Sequence, residues 1–368
     1  MSDHTPRTPA TPRAAPTSAA AKPPGTSPQN DPDISATPRN STTAAPPSSP
    51  SEDPRTGTIP GHLISIDDLD RAGIERMLDR AESFAEVAGR EIKKVPALRG
   101  RTIVNLFYEA STRTSSSFEL AAKRLSADVV SVRSTGSSVD KGESLKDTVQ
   151  TLSAYDPAAI VIRSPHVGAA RLVAGWTAAA VINAGDGKHE HPTQALLDVF
   201  TLRRKLGPLD DANIWIVGDV LHSRVARSNI LAFTRMGARV TVCGPPTLIP
   251  REIEALHCRA TATLDRMHEA DVVYVLRMQR ERMHEAFIPS LREYVARYQI
   301  NTARLSAGQI LMHPGPVNRG VELSGEAIDS PQALIGEQVK AGVAVRMAVL
   351  YELLAGGAPR LQVAAVAA

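Results

Sequence analysis

Cysteine is scarce in this chain of 368 residues, which contains Cys243 and Cys258 and no other cysteine. Two cysteines cannot build the disulfide framework of a small secreted protein. Neither lies in a CxxC motif or a Cys/His cluster, so the sequence does not indicate a structural zinc site. The cysteine content therefore favours a protein of the reducing cytosol.

The chain also lacks long apolar runs and an excess of charge of either sign. No window reaches the ~18 consecutive apolar residues of a membrane span, and the N-terminal region lacks the apolar core of a signal peptide. The 42 basic and 39 acidic residues give a net charge of +3. This bias is too weak to indicate nucleic acid or a membrane as a partner. We expect a cytoplasmic protein.

Large aliphatic residues are nearly absent from the first segment, where Ile34 is the only one between Met1 and Ile59. Proline, serine, threonine and alanine dominate this segment, which cannot offset the entropy of its own ordering. We therefore predict a disordered tail over residues 1–57. A transit peptide is the alternative, but acidic residues are as numerous as basic ones here, and transit peptides are poor in acids.

The remainder of the chain predicts two α/β domains. Short apolar runs typical of buried strands alternate with amphipathic segments over residues 58–191, and the pattern starts again over residues 192–340. We expect a doubly wound parallel sheet in each domain and an active site in the cleft between them. The C-terminal segment, residues 341–368, continues a helix predicted from Glu337 and is expected to return to the first domain.

Hydrophobic patterns place the individual elements along the chain. Ser65 is predicted to cap the first helix, and two further helices are predicted for residues 192–206 and 224–236. The predicted strands cover residues 102–108, 129–132, 158–162, 181–183, 213–217, 239–243, 272–276 and 309–312.

The stretch FYEASTRTSSSFELAAKRL, residues 107–125, concentrates hydroxyl residues between a predicted strand and a predicted helix. Ser116 and Glu119 have the spacing of a capping box at the start of that helix. Unpaired backbone amides and the helix dipole make such a turn an anion site. Hydroxyls and one arginine fork suited to phosphate come from Ser111, Thr112, Arg113 and Thr114. An ordinary helix cap with a solvated arginine is the alternative.

Other polar residues follow predicted strands directly. Arg163 follows AAIVI, Arg277 follows VVYVL, and the run His313 to Pro316 follows QILM. Ligands of open parallel sheets bind beyond the carboxyl ends of the strands, so these groups are predicted to share one crevice. Alternatively, Arg163 could form an ion pair at the surface, and Pro314 and Pro316 could serve only to end a strand.

Three further segments carry candidate site residues. In HPTQ, His191 and Gln194 lie at a helix start, where a neutral histidine can polarise a carbonyl group, although a structural histidine is the alternative. Arg224 follows the glycine of VGDVLHSRVARS and could face a carboxylate. Ser137 and Lys141 lie on a polar loop that matters if it reaches a neighbouring chain and is otherwise an ordinary surface loop.

Taken together, these motifs resemble the catalytic chains of aspartate carbamoyltransferases. ASTRT with SFE, DKGESLKDT, HPTQ, VGD with HSRVARS, RMQRER and HPGPVNRG occur in the order typical of that family, over about Gly61 to Leu361. The resemblance implies transfer of the carbamoyl group of carbamoyl phosphate to the amine of L-aspartate, in pyrimidine (UMP) biosynthesis. It also implies a homotrimer with shared active sites and neither a metal nor an organic cofactor.

The resemblance assigns roles to individual positions. It implies that Arg113, Thr114, Lys141, Arg163 and His191 act in catalysis, and that Lys141 and Ser137 come from the adjacent subunit. The aspartate-binding positions are Lys141, Arg224, Arg277 and Gln279. The carbamoyl phosphate positions are Ser111, Thr112, Arg113, Thr114, Ser137, Lys141, Arg163, His191, Gln194, Pro314 and Gly315.

Three alternatives accompany this hypothesis. Ornithine carbamoyltransferases share STRT and HPxQ features, but their HCLP and SMG motifs are missing here, and the arginines suit a dicarboxylate. A carbamoyltransferase for another amino acid and a non-catalytic scaffold of the same fold also stay open, as does assembly with regulatory chains or a dihydroorotase.

Ser115 replaces the basic residue that usually follows STRT, which predicts a somewhat weaker phosphate affinity.

Overall fold

The computed structural model describes residues 61–133, 142–279, 282 and 287–355. The predicted tail, residues 1–57, lies outside these ranges. Within them the chain forms two sheets of parallel strands, one after the other in sequence, with helices between the strands. No helix of the described residues is both long enough and apolar enough to cross a membrane.

The first sheet has the strand order β2-β1-β3-β4. Its strands are fully parallel, and the crossovers between them are helices, as parallel pairing requires. The elements of this half are α1 (Arg71–Ala88), β1 (Thr102–Phe107), α2 (Thr112–Arg124), β2 (Asp128–Arg133), α3 (Leu145–Ser153), β3 (Ala159–Ser164), α4 (Ala169–Ala174) and β4 (Ala180–Asp186).

The second sheet has the strand order β7-β6-β5-β8-β9. Its central strands are buried on both faces and carry continuous apolar sequences, such as NIWIV and VVYV. The elements of this half are α5 (Pro192–Leu206), β5 (Asn213–Val217), α6 (Arg224–Arg235), β6 (Arg239–Cys243), β7 (Arg259–Thr261), β8 (Val272–Val275), α7 (Leu291–Tyr298), β9 (Ile310–Met312), α8 (Gly325–Ile328) and α9 (Ile335–Leu354).

The long helix α9 packs against α1, α2 and α5, which confirms the predicted return to the first domain. Its face toward α1 is fixed by polar as well as apolar contacts. The buried side chain of Glu352 pairs with Arg76 at 2.7 Å and with Arg80 at 2.8 Å. Tyr351 meets the edge of the Phe84 ring, with 5.7 Å between the ring centroids.

The predicted strands and helices appear with shifts of a few residues at their ends, and two predicted helix caps are wrong. Ser65 caps a short 3-10 turn, Ile66–Asp68, and the N-cap of α1 is Asp70, whose side chain accepts from the amide of Gly73. Helix α2 begins at Thr112 rather than at a box formed by Ser116, because Ser111 is its N-cap and accepts from the amide of Thr114.

One strand was missed by the sequence analysis. Strand β7 has three residues, Arg259–Thr261, and its side chains are largely exposed at the edge of the second sheet. A sequence as short and polar as RAT carries no hydrophobic period that could reveal it.

Candidate active site

A cavity of about 930 Å³ lies at the carboxyl ends of the strands of both sheets. Every predicted site residue within the described ranges lines it, whereas Ser137 and Lys141 lie outside those ranges. The predicted residues that line the cavity are Ser111, Thr112, Arg113, Thr114, Arg163, His191, Gln194, Arg224, Arg277, Gln279, Pro314 and Gly315.

The parallel topology explains this convergence. Carboxyl ends of neighbouring parallel strands meet at one edge of a sheet, so residues that follow β1, β3 and β4 are brought together in the first half of the chain. Residues that follow β5, β8 and β9 converge in the same way in the second half. Segments far apart in sequence thus supply one cavity.

The start of α2 forms the proposed phosphate end of the cavity. Ser111 is the N-cap, and its hydroxyl accepts from the amide of Thr114 at 3.4 Å. The first turn therefore presents backbone amides, hydroxyls and the positive end of the helix dipole. Arg113 lies directly against Gly315 of the other half: a Cβ at position 315 would lie 2.5 Å from the Arg113 Cζ.

His191 is the N-cap residue of α5 and is buried. Its backbone amide donates to Ser228 Oγ at 2.8 Å, and its ring Nε2 lies 3.4 Å from the hydroxyl of Thr114. Burial holds the pKa of His191 well below its ordinary value, and the charges of Arg163 and Arg346 lower it further. The ring is therefore neutral at physiological pH and able to donate a single hydrogen bond toward the cavity.

Arg163 is placed by an irregularity in the first sheet. The register of β3 against β4 shifts between Ile162 and Ser164, with the extra residue on β4 beside Arg163, whose side chain lines the cavity. Its Nη1 donates to the carbonyl of Ala184 at 3.1 Å. The neighbouring Gly185 has a φ of +117°, and a Cβ there would meet the side chain of Arg224 at 2.7 Å and that of Arg163 at 3.1 Å. A glycine is therefore needed for both arginines to approach.

Glu109 is a cavity residue that the sequence analysis did not identify. It follows β1 and accepts from Arg224 at 2.6 Å, from Arg282 at 3.0 Å and from Arg163 at 3.1 Å. Since Arg163 belongs to the first half and the other two arginines to the second, this carboxylate joins the two halves across the cavity. The sequence did contain a sign of this residue's importance. In FYEASTRT, a glutamate lies just after a predicted strand, in a segment whose other polar residues are hydrogen-bond donors.

Arg346 is a second residue that the sequence analysis missed. It lies on α9, is buried, and its Cζ is 5.1 Å from the centroid of the Phe118 ring. Its Nη1 donates to the carbonyl of Gly342 at 3.2 Å. Burial lowers the pKa of Arg346 to about 9, so the side chain is still charged at neutral pH. The sequence did indicate this residue, because an arginine within the apolar segment GVAVRMAVL is expected to be buried, and buried arginines are rare unless they have a partner.

The electrostatic character of the cavity follows from its lining. Among the described residues, six arginines face one carboxylate, that of Glu109. Cations that share a partly desolvated space repel one another, and anionic ligands relieve this repulsion. The arginines are Arg113, Arg163, Arg224, Arg277, Arg282 and Arg346. Such a cavity suits two small, highly charged anions.

Comparison with known proteins connects this geometry to a family. The profile described as "Aspartate/ornithine carbamoyltransferase, carbamoyl-P binding domain" matches residues 61–204. The profile of the Asp/Orn binding domain of the same family matches residues 210–353. Together they cover both halves of the cavity.

Individual relatives agree with the profiles. The chain is 56% identical over 304 residues to the aspartate carbamoyltransferase catalytic subunit of Acidothermus cellulolyticus, covering 82% of this chain and 94% of that protein. It is 56% identical over 302 residues to that of Salinispora arenicola, covering 80% and 98%. The structure of Trypanosoma cruzi aspartate transcarbamoylase with N-(phosphonacetyl)-L-aspartic acid superposes with a TM-score of 0.74 at 33% identity, covering 80% of this chain and 96% of that one.

Proposed function

The chain belongs to the aspartate/ornithine carbamoyltransferase family, and we propose that it transfers the carbamoyl group of carbamoyl phosphate to L-aspartate, giving N-carbamoyl-L-aspartate and phosphate. One observation carries the proposal. A single cavity joins the anion-binding start of α2 to Arg224 and Arg277, which follow strands of the other sheet. The two substrates together bring a phosphate and two carboxylates, and these are the groups that such a cavity can hold.

The phosphate of carbamoyl phosphate binds at the first turn of α2. The amides and hydroxyls of residues 111–114 hold its oxygens, and the Arg113 guanidinium pairs with it. As the C–O bond to phosphate breaks, charge builds up on the departing group. The same donors and the helix dipole are already in place to stabilise it.

The carbonyl group lies deeper, next to Thr114, Arg163 and His191. When the aspartate amine forms its C–N bond to the carbonyl carbon, negative charge develops on the carbonyl oxygen. A donor fixed in place at that position is worth roughly 3 to 4 kcal/mol of transition-state stabilisation. Because His191 is buried and neutral, it can donate without adding a mobile charge.

Aspartate binds on the side of the second sheet. Arg224, Arg277 and Gln279 are proposed to hold its two carboxylates, which orients the amine toward the carbonyl carbon. The amine loses a proton as the bond forms, and the leaving phosphate is proposed to take it. The site then needs no separate general base.

Assembly and location belong to the same proposal. We propose a homotrimer in which Ser137 and Lys141 of one chain enter the cavity of its neighbour, as the family resemblance implies. We propose a role in pyrimidine biosynthesis, which the family supports. We also propose a cytoplasmic location, which agrees with the free, buried thiols of Cys243 and Cys258.

A product assay tests the proposed function. Purified protein supplied with carbamoyl phosphate and L-aspartate should form N-carbamoyl-L-aspartate, detected by the colorimetric ureido reaction. L-ornithine at equal concentration should give almost no product, because its side-chain ammonium would enter a cavity that carries six arginines. Turnover with ornithine but not with aspartate would reject the assignment of the second substrate, and turnover with neither would favour a non-catalytic scaffold.

A further inference from the structure

A buried carboxylate lies behind the cavity, one helical turn after Gln194. Asp198 of α5 has no exposed surface, and four side chains donate to it. Its Oδ1 accepts from Gln338 at 2.7 Å and from Gln194 at 3.1 Å. Its Oδ2 accepts from Tyr274 at 2.7 Å and from Asn229 at 3.0 Å. The donors come from α5, α6, β8 and α9, so this carboxylate connects four elements of the second half of the chain.

The protonation state of Asp198 decides which way its partners face. Burial raises the pKa of Asp198, and the hydrogen bonds from Tyr274 and the two glutamines lower it in part. The net result is a pKa of about 6. The group is therefore ionised at pH 7.5 and acts as an acceptor only. Each glutamine must turn its amide nitrogen toward the carboxylate, which leaves the other amide atom, Oε1, free to accept elsewhere.

For Gln194 this orientation has a direct consequence in the cavity. Gln194 lines the cavity, and its Nε2 donates to Asp198, so the orientation of the amide is set and Oε1 is the acceptor that it can offer to a ligand. A reversed amide would present N–H donors instead. The carbamoyl end of carbamoyl phosphate carries an NH₂ group, which is a donor and requires acceptors.

Gln338 connects Asp198 to the loop after β9 in the same way. Its Oε1 accepts from the backbone amide of His313 at 3.0 Å, and the His313 Nδ1 accepts from the amide of Gly315 at 2.8 Å. The turn that contains Pro314 is thus held through one glutamine by the same carboxylate. Pro314 and Gly315 of this turn line the cavity, so the same carboxylate holds a second part of the cavity wall.

We propose that Asp198 is the positioning residue for the carbamoyl amino group: by accepting from Gln194 and Gln338 together, it fixes the acceptors that distinguish an NH₂ group from a group that cannot donate. The inference rests on the proposed function, because it concerns the orientation of carbamoyl phosphate in this cavity. It assigns Asp198 a role in substrate discrimination, without contact to the substrate.

Acetyl phosphate is the probe that isolates this role, since it replaces the amino group of carbamoyl phosphate with a methyl group. The measured quantity is the ratio of the two dissociation constants, from calorimetric titration at low temperature without aspartate. Wild-type protein should bind carbamoyl phosphate more tightly. In Asp198→Ala no acceptor remains at this position for either glutamine, so the preference for carbamoyl phosphate should shrink roughly tenfold, as expected for loss of about one hydrogen bond.

Asp198→Asn should retain the preference. Its amide oxygen can accept from both glutamines, while its NH₂ group can donate to the Tyr274 hydroxyl, which accepts as well as donates. Asn229 Oδ1 has no hydrogen-bond partner among the described residues, so a flipped Asn229 amide can accept the other hydrogen of that NH₂ group. The ratio in Asp198→Asn should therefore stay within about threefold of the wild-type ratio.

The outcomes separate clearly. An unchanged ratio in Asp198→Ala overturns the inference, and so does an equal loss of preference in Asp198→Asn, because that variant keeps an acceptor for both glutamines. Wild-type protein that binds neither acyl phosphate would instead reject the proposed function. The titration needs no turnover, so it tells the two failures apart.

Discussion

Arg224 donates through one nitrogen to both oxygens of Glu109, at 2.6 and 2.5 Å, across the cavity that separates the two sheets. The Arg224 side chain is almost fully buried, whereas that of Glu109 is 27% exposed. The pair therefore both closes one side of the cavity and sets the position of an arginine proposed to bind aspartate. Arg282 shares the same carboxylate at 3.0 Å.

Replacing Glu109 by glutamine should weaken aspartate binding and slow turnover. The amide keeps the shape but cannot compensate the arginines, so we expect the aspartate KM to rise and kcat to fall, each by roughly tenfold, as for loss of a charged hydrogen bond. Steady-state kinetics with aspartate as the varied substrate measures both. Glu75→Gln is the matched control, because Glu75 forms an exposed ion pair with Arg71 on α1. Wild-type kinetics in Glu109→Gln would show that the ion pairs of Glu109 with the arginines have no role in aspartate binding or turnover.

The close approach of Arg113 to Gly315 predicts a strong effect of a single methyl group. Gly315 has a φ of +63°, and a Cβ there would lie 2.5 to 2.8 Å from the guanidinium atoms of Arg113. Gly315→Ala should raise the carbamoyl phosphate KM by more than about tenfold, since a small displacement of a positioning group is costly.

Gly320→Ala provides the control for Gly315→Ala. Gly320 also has a positive φ, +83°, but a Cβ there would meet nothing within 4 Å. Both variants place an alanine at a positive φ, so equal losses of activity would indicate that backbone conformation, rather than displacement of Arg113, explains the result.

His191 should stay neutral in the folded protein at pH values where an ordinary histidine is protonated. Its pKa lies well below 6.5, first because of burial and then because of Arg163 and Arg346. Nitrogen NMR of the histidine rings, assigned with His191→Gln, should show no titration of His191 between pH 8 and pH 6. A midpoint near 6.5 would contradict the buried, neutral ring on which the proposed role depends.

The lowered pKa of His191 also affects the stability of the folded protein. The unfolded chain binds a proton at His191 near pH 6.5 and the folded chain does not, so the free energy of unfolding falls as the pH drops below that value. One such group contributes about 1.4 kcal/mol per pH unit until its folded pKa is reached. Comparing the pH dependence of urea unfolding in wild type and His191→Gln isolates this contribution.

A shared active site predicts complementation between two inactive variants. Lys141→Ala should inactivate the cavity of a neighbouring chain, and Arg277→Ala should inactivate the cavity of its own chain. In mixed trimers some cavities combine an intact Arg277 with an intact Lys141 from the next chain, so subunit exchange should restore part of the activity. Absence of rescue, with exchange demonstrated by a tag on one variant, would argue against sites shared between chains.

Much of the fold was predictable because its signals are local. Buried parallel strands appear in the sequence as apolar runs, and the residues directly after such runs lie at the carboxyl ends of the strands. The sequence therefore predicts that Arg163, Arg277 and the run from His313 to Pro316 share a crevice. The motifs with a family resemblance lie on those same loops. Their individual roles are still predictions.

Residues whose roles depend on distant contacts could not be predicted. Glu109 is significant because Arg224 and Arg282, more than a hundred residues away, meet it in space. Asp198 looks like an ordinary polar residue of an amphipathic helix, and tertiary packing brings three of its four donors to it. The start of α2 was misplaced for a related reason, since several serines and threonines could each serve as a cap and local sequence does not choose among them.

The central claim is that one cavity holds both substrates at once, and titration with N-(phosphonacetyl)-L-aspartic acid tests it most directly because this molecule joins the two anionic ends. We predict saturable binding of one molecule per chain, with the affinity reduced by roughly a hundredfold in Arg113→Ala and in Arg277→Ala, as loss of charged hydrogen bonds at either end requires. Wild-type protein that fails to bind the compound, or binding that neither substitution weakens, would contradict the account.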